Sequence, residues 1–416
     1  MRSLLCGVAA IVAAAALPAT AQDTNLRIAT VFDATGVENW QPVLDAFMAA
    51  NPDIAVTMET VAGSGAAMYP DMLRTAMVSG DPADVFFMWG GTVAGPFIKA
   101  GQVLPLNAIY EQYGWNDRFP PWIVNRLGVD GETYGVPFHG QGMGFFYRKD
   151  ILDAQGLAVP TTYAEMENVC ATLIADGIHC ATTGGKFGWH VMRLVDWFIE
   201  TNCGPEIHDG LNALTESWDQ DCVVGAYQTL ADWITNGWLV PDFLNVSPDD
   251  ARFAIYQGSA AMILEGPWFE PAIAEAGVDP SVYGFFLPPT DHAPDRYSAF
   301  PEQWMIAAGS DSQEAAAKLV DFITNADTIR ANAKAFGASA TIGITPDCTT
   351  QPITCQIVEI VQSDRPAYPP TDQAFEKELM DSFFEVQDGI VAGQLTPAEG
   401  AALMQERAAA WKAAQG

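Results

Sequence analysis

The stretch "RFAIYQGSAAMILEGPWF", residues 252–269, decides how this chain is read. Ala260 to Leu264 is an unbroken apolar run of strand length, which reads as a short buried strand. The run ends on Gly266-Pro267 and then presents Trp268. Two readings compete: Trp268 caps a core, or it faces a cleft from a turn whose backbone Pro267 holds rigid. The rest of the sequence has to separate them.

Toward the N-terminus, "LRIATVF" (26–32) is a β-branched strand. Trp40, Val43, Leu44, Phe47 and Met48 then recur on one face of a helix, which Asn51-Pro52 stops. Ile54 to Met58 alternates as a second strand. Tyr69 to Val78 is helical, Gly80-Asp81-Pro82 turns, and Asp84 to Trp89 is a third strand. This βαβαβ order predicts a parallel sheet with helices on its faces. Ligands of such sheets collect at the carboxyl ends of the strands, where Gly36, Ser64 and Gly90 lie. "YGVPFHGQGMGFFYR" (134–148) is extended and glycine-laced, which suits a strand crossing between lobes. Helical stretches follow at 162–175, 191–201 and 223–236. A Pro-rich link covers 285–290, a further strand 303–308, and helices 312–324, 375–389 and 397–414.

Composition bounds the class. The chain has 416 residues and a formal charge of −32. Such acidity offers no groove for nucleic acid or anionic lipid. Met1-Arg2, the apolar run Leu4–Leu17 and the small residues Ala19 and Ala21 have the layout of a secretory leader, with cleavage expected after Ala21. Cys6 lies too early for a lipid anchor. No other apolar run reaches the roughly 20 residues of a membrane span. The remaining length, about 395 residues, exceeds one compact core and predicts two lobes. Export places Cys170, Cys180, Cys203, Cys222, Cys348 and Cys355 where disulfides persist. Their order suggests the local pairs 170/180, 203/222 and 348/355, one of fifteen pairings.

No catalytic or cofactor motif stands out. "GQGMGF" and "TTGGKFG" lack dinucleotide and phosphate-loop spacing, and neither G-x-S-x-G nor H-E-x-x-H occurs. No cofactor and no metal are expected; His179 beside Cys180 is an isolated neighbour. With 51 acidic residues, a carboxylate pair for glycoside cleavage depends on spatial separation that the sequence does not give.

Several motifs then converge. Phe253, Gly258, Ala260, Ala261, Met262, Gly266, Pro267 and Trp268 resemble a signature of the family 1 extracellular solute-binding proteins of carbohydrate ABC importers, a group with maltose- and glucose-binding types. "GDPADVFFMWGG" is similar to the family's strand leading to the cleft. "GETYGVPF" with "FFYRKDILDAQGL" is similar to its crossing strand and the helix start beyond, with Arg148 where Asn is usual. "WHVMRLVDWFIETNCGPEIHDGL" resembles the glucose-type pattern. The resemblance covers almost all of the chain beyond the leader.

It implies an α/β, two-lobed periplasmic binding protein fold, each lobe a mostly parallel sheet flanked by helices, with a hinge between them. The lobes would comprise 22–138 plus 304–342 and 139–303 plus 343–416. The implied function is capture of a mono- or short oligosaccharide by a monomeric periplasmic protein that does no chemistry and delivers the sugar to ABC permease subunits. A binder of a polyol or other polar solute, and an exported glycoside-active enzyme, are the alternatives.

The expected ligand contacts follow. Trp268 would stack on the apolar face of a pyranose while polar groups take its hydroxyls. Trp89 ends its strand before Gly90, as a core aromatic or as a cleft wall. His139 and Gln141 alternate with glycines and so share one face of their strand; a neutral amide at 141 argues against a cationic ligand. Trp189, before His190, follows the loop "TTGGKFG". Glu38 lies after the first strand, where glucose binders carry an acid. Glu302 sits at the return crossing, suited to bidentate acceptance from hydroxyls. Arg365 is either a clamp or a surface ion pair. Glu265 belongs inside the strand end rather than in the cleft.

Overall fold

A computed structural model describes residues 23–61 and 68–415. The expected leader, its cleavage point after Ala21, and Ser64 lie outside the described residues. Two sheets organise the chain, one of six strands and one of four.

The first sheet starts as the βαβαβ pattern predicts. Thr24–Thr30 pairs in parallel with Ile54–Thr60 on one side and Val85–Trp89 on the other. The intervening helix Ala34–Ala50 is capped by Asp33, whose carboxylate accepts from the Gly36 N–H at 2.7 Å. It buries Trp40, Val43, Leu44 and Phe47, the stripe its periodicity announces.

The sheet then continues with a strand from much later in the chain. Tyr297–Ile306 runs antiparallel between Val85–Trp89 and Gly135–Gly142, and Ala367–Tyr368 pairs with its first residues. All ten residues of this strand are buried. It begins six residues before the expected 303–308 run. Pro301 and Glu302 disguise that first half, since proline lacks a ladder donor. The sheet tolerates them because Pro301 O still accepts from the Gly90 N–H at 2.9 Å. A bulge between Glu302 and Gln303 then re-aims the chain.

The second sheet orders as Tyr283–Phe286, Gly144–Arg148, Ala260–Glu265 and His179–Thr182. Ala260–Glu265 has neighbours on both sides and is buried throughout, which is why its sequence does not alternate. Helices Tyr163–Ala175, Trp189–Cys203, Asp221–Thr235, Lys377–Val391 and Pro397–Ala414 surround this sheet and share its core. A second apolar cluster lies around the first sheet and continues onto the second through Phe146, Ile263, Phe269 and Phe285. The fold is thus α/β with two lobes, each a sheet flanked by helices, but the sheets are mixed rather than mostly parallel: Tyr297–Ile306 runs antiparallel to Val85–Trp89 and Gly135–Gly142, and Gly144–Arg148 runs antiparallel to both its neighbours.

The glycine-laced segment is the passage between them. Gly135–Gly142 belongs to the first sheet and Gly144–Arg148 to the second, with only Met143 between. Helix Pro352–Gln362 lies across this passage. A Cβ on Gly140 would come within 2.6 Å of Val361 Cγ1, so the helix can approach only a bare backbone. The chain returns to the first sheet between Phe286 and Tyr297.

Three local disulfides join Cys170 to Cys180, Cys203 to Cys222 and Cys348 to Cys355, with Cα separations of 4.7, 5.0 and 5.5 Å. Among the described residues no helix is long and apolar enough to cross a membrane.

Candidate functional site

The candidate site grows from one face of the first sheet. Opposed residues of an antiparallel pair point to the same side. Glu302 stands opposite Trp89 on one neighbour and His139 on the other, and Phe300 stands opposite Gln141. The register therefore sets Trp89, Glu302 and His139 in a row, with Phe300 and Gln141 as the next rung.

Glu302 ties this face together. Its Oε2 lies 2.7 Å from His139 Nδ1 and accepts from Gln141 Nε2 at 2.9 Å. His139 Nε2 lies 2.9 Å from the Phe336 carbonyl oxygen. Both ring nitrogens therefore face an acceptor oxygen. Gln141 Oε1 is buried and has no partner. Trp89 is braced edge-on by Phe87 and Tyr69, at centroid distances of 5.1 and 6.2 Å. Gly90 follows it and fastens the turn to Pro301.

The opposing wall comes from the second sheet. The strand Ala260–Glu265 ends on a fully buried Glu265, placed within the strand end as the sequence predicts. Its Oε1 accepts from Arg252 Nε at 2.9 Å and its Oε2 from Trp268 Nε1 at 2.6 Å. The Trp268 ring folds over Gly266, where a Cβ would come within 2.3 Å of Cζ3. An indole so pinned loses little freedom when a ligand lands on it. Trp268 meets Trp189 at 6.4 Å and Phe300 at 6.1 Å, so it spans the two walls.

The remaining predicted residues are placed differently. His190 stacks beside Trp189 but is buried. Its Nδ1 accepts from the Gly184 N–H at 3.2 Å, and Nε2 donates to the Leu264 carbonyl at 2.9 Å. Burial holds its pKa down, in keeping with a neutral ring spent on backbone. Arg365 is exposed and ion-paired with Asp295. Glu38 is exposed one turn into its helix, and no described residue bonds its carboxylate. The structure therefore brings together Trp89, Gly90, His139, Gln141, Glu302, Trp189 and Trp268; His190 bonds to backbone, Arg365 pairs with Asp295, and Glu38 stays exposed on its helix. Among the described residues no group of three or more His, Cys, Asp or Glu could hold a metal ion.

Residues 33–329 match the profile of a family described as bacterial extracellular solute-binding protein. The chain belongs to that family. An uncharacterised ABC transporter extracellular-binding protein of Pyrococcus horikoshii is 22% identical over 350 residues, covering 83% of this chain and 74% of its own. A second such protein from the same organism is 27% identical over 192 residues, and this chain spans only 44% of its length. The maltotriose-binding protein of Pyrococcus abyssi is 23% identical over 305 residues, 70% of this chain and 60% of its own. A solved chitin oligosaccharide binding protein superposes with a TM-score of 0.82 at 22% identity, covering 93% of this chain and 98% of its own. A solute receptor with an exclusive preference for β-D-galactopyranose does so with a TM-score of 0.82 at 15% identity, over 93% and 99% of the two chains. At such identities the likeness concerns the fold.

Three residues of this solute-binding protein escaped the sequence reading. Phe300 is one strand position from Pro301 and hid behind it. Arg193 lies four residues after Trp189 on helix Trp189–Cys203, hence on the same face, and that spacing was the available signal. It is 4% exposed, with its guanidinium 5.0 Å from the Phe300 ring. Asp372 is the third; its Oδ2 accepts from Arg193 Nη2 at 3.3 Å, and burial pushes its carboxyl up. Arg193 Nε and Nη1 and Asp372 Oδ1 are buried without partners.

Asp372 sits on a segment fastened to both lobes. Toward the second lobe, Thr371 donates through its N–H and Oγ1 to Asp196, at 3.0 and 2.5 Å. Toward the first, Thr92 Oγ1 donates to Phe375 O at 2.7 Å, and Lys99 pairs with Glu376.

Proposed function

We propose that this protein captures a carbohydrate, a monosaccharide or short oligosaccharide, between its two lobes. It then presents the sugar to the membrane subunits of an ABC importer without transforming it. One observation carries this reading. Trp268 is an oriented aromatic platform between the lobes, beside a hydrogen-bonding face built from Glu302, His139 and Gln141. A pyranose presents the complementary pattern, an apolar C–H face and a rim of hydroxyls. The sugars in the names of the similar proteins support the same class.

We place the protein in the periplasm as a monomer, after removal of the leader at Ala21. Bending is assigned to the two passages between sheets, at Met143 and between Phe286 and Tyr297. We move the lobe limits expected from sequence at 138/139 and 303/304 to these passages, because Gly135–Gly142 and Tyr297–Ile306 pair within the first sheet, and keep 342/343 as part of this proposal. Calorimetry against galactose, maltose, maltotriose, xylobiose and di-N-acetylchitobiose tests the reading, and micromolar or tighter binding of one sugar, recovered unchanged, is the expected result. Hydrolysed sugar in the recovered sample, or no heat with any of the five, would reject it.

A further inference from the structure

We infer that Arg193 and Asp372 form a second polar wall of the site, which reads two neighbouring hydroxyl groups of an uncharged ligand. The inference rests on the carbohydrate reading above and adds to it the residues that select among sugars.

Buried polar atoms are almost always paired in native proteins. Four exceptions gather around the aromatic surface here: Arg193 Nε, Arg193 Nη1, Asp372 Oδ1 and Gln141 Oε1. Their placement is linked step by step. Trp189 and Arg193 lie on one helix face, Trp189 touches Trp268, and Trp268 touches Phe300. Arg193 lies over Phe300, and Gln141 stands opposite Phe300 in the sheet. The set comprises two donors on a planar cation and two acceptors. A hydroxyl both donates and accepts, so two adjacent hydroxyls can take a donor from the guanidinium while giving their protons to the carboxylate and the amide oxygen. Bonds to ionised groups are the stronger kind, which makes this wall discriminating.

The charge balance favours a neutral ligand over an anionic one. Arg193 already faces Asp372, and Asp196 adds a second carboxylate three residues along the same helix. An added ligand carboxylate would meet two acids against one cation. The position of Asp372 also couples recognition to closure. The residues just after it hold the first lobe through Thr92 and Lys99, so hydroxyls that complete the Arg193–Asp372 pair also steady the segment joining the lobes.

The test uses the full-length mature protein and the sugar of the five-member panel that wild type binds. Calorimetry compares that sugar with its monodeoxy derivatives, for wild type, Asp372→Asn and Arg193→Lys. Wild type is expected to disfavour the derivatives lacking either of two adjacent hydroxyls by about 10- to 100-fold, the range for a bond to a charged group. In both variants that discrimination should shrink to within about threefold, while discrimination at other ring positions persists. Melting curves confirm that each variant is folded. A general loss of affinity without loss of hydroxyl selectivity would mean that the pair is structural, and the inference falls. Sugar binding by wild type with unchanged selectivity in both variants overturns it while leaving the carbohydrate reading standing. No binding to any panel sugar overturns both.

Discussion

Trp268 is anchored at one end and open at the other, and the proposed stacking role uses both. Its nitrogen is satisfied by Glu265, so the ring is a fixed part of the strand end. The rest of the ring is only partly covered. Replacement by alanine should cost binding about 2–4 kcal/mol, roughly 30- to 1,000-fold in Kd, and should lower the melting temperature without preventing folding, because it leaves the buried Glu265 Oε2 without its donor. Phe at 268 should keep part of the affinity but strand Glu265 Oε2, and its melting temperature should drop further than that of a conservative surface change. An alanine variant that unfolds readily while its folded fraction binds normally would identify Trp268 as core. A second residue links pH to stability. Burial pushes the Asp388 carboxyl up to about 6. The folded state then binds more protons than the unfolded one between about pH 4 and 6, so stability falls as pH rises through that window. Asp388→Asn should melt higher than wild type at pH 7 and like it at pH 4, as differential scanning calorimetry would show. The residue scale is also where the sequence was least legible. Trp268, His139 and Gln141 announced themselves through glycine and proline neighbours. Arg193 sits in an ordinary amphipathic helix, and only the fold reveals that its face looks across at Phe300.

Elements were easier to read than their ends. The βαβαβ start, the buried strand Ala260–Glu265 and the long helices follow from periodicity, because each buries one stripe or one short run. Tyr297–Ile306 was legible only in its second half; its first half carries Pro301 and Glu302, which line the candidate site and break the strand pattern. What positions one element against another was invisible, since it depends on distant partners. Glu270 shows this well. It is buried on helix Phe269–Glu275 and its carboxylate accepts from the Ile353 and Thr354 N–H groups at 3.0 and 2.6 Å. Those groups open helix Pro352–Gln362, where an anion is favoured by unpaired donors and by the helix dipole. Glu270→Ala should therefore cost about 1–3 kcal/mol in urea unfolding, and Glu270→Gln less. The same helix start carries the Cys348–Cys355 disulfide. In the loop-closure view each of the three short bonds contributes roughly 2–3 kcal/mol, most for the longest loop, Cys203 to Cys222. Mass mapping of the non-reduced protein should recover the three linked peptides, and three paired Cys→Ser variants should rank in that order.

The molecule as a whole has two sheets joined through few covalent passages, and the proposed site lies between them. A sugar that touches both walls favours the closed arrangement by its differential affinity for it. Scattering curves should show a smaller radius of gyration at saturation with the bound sugar than without it, and identical curves would count against bending at Met143. The exposed Lys99–Glu376 pair should matter little to this equilibrium; Lys99→Ala is expected to shift affinity less than about fivefold, since such pairs contribute under about 1 kcal/mol.

The strand order of the first sheet has a consequence for biosynthesis. Tyr297–Ile306 joins Val85–Trp89 to Gly135–Gly142, yet it is made long after both. A nascent chain that ends before residue 297 holds two separate sheet fragments with no strand to bridge them. Each exposes an unpaired edge, and long-range pairing of this kind forms slowly. The first lobe thus stays open until most of the polypeptide has left the ribosome.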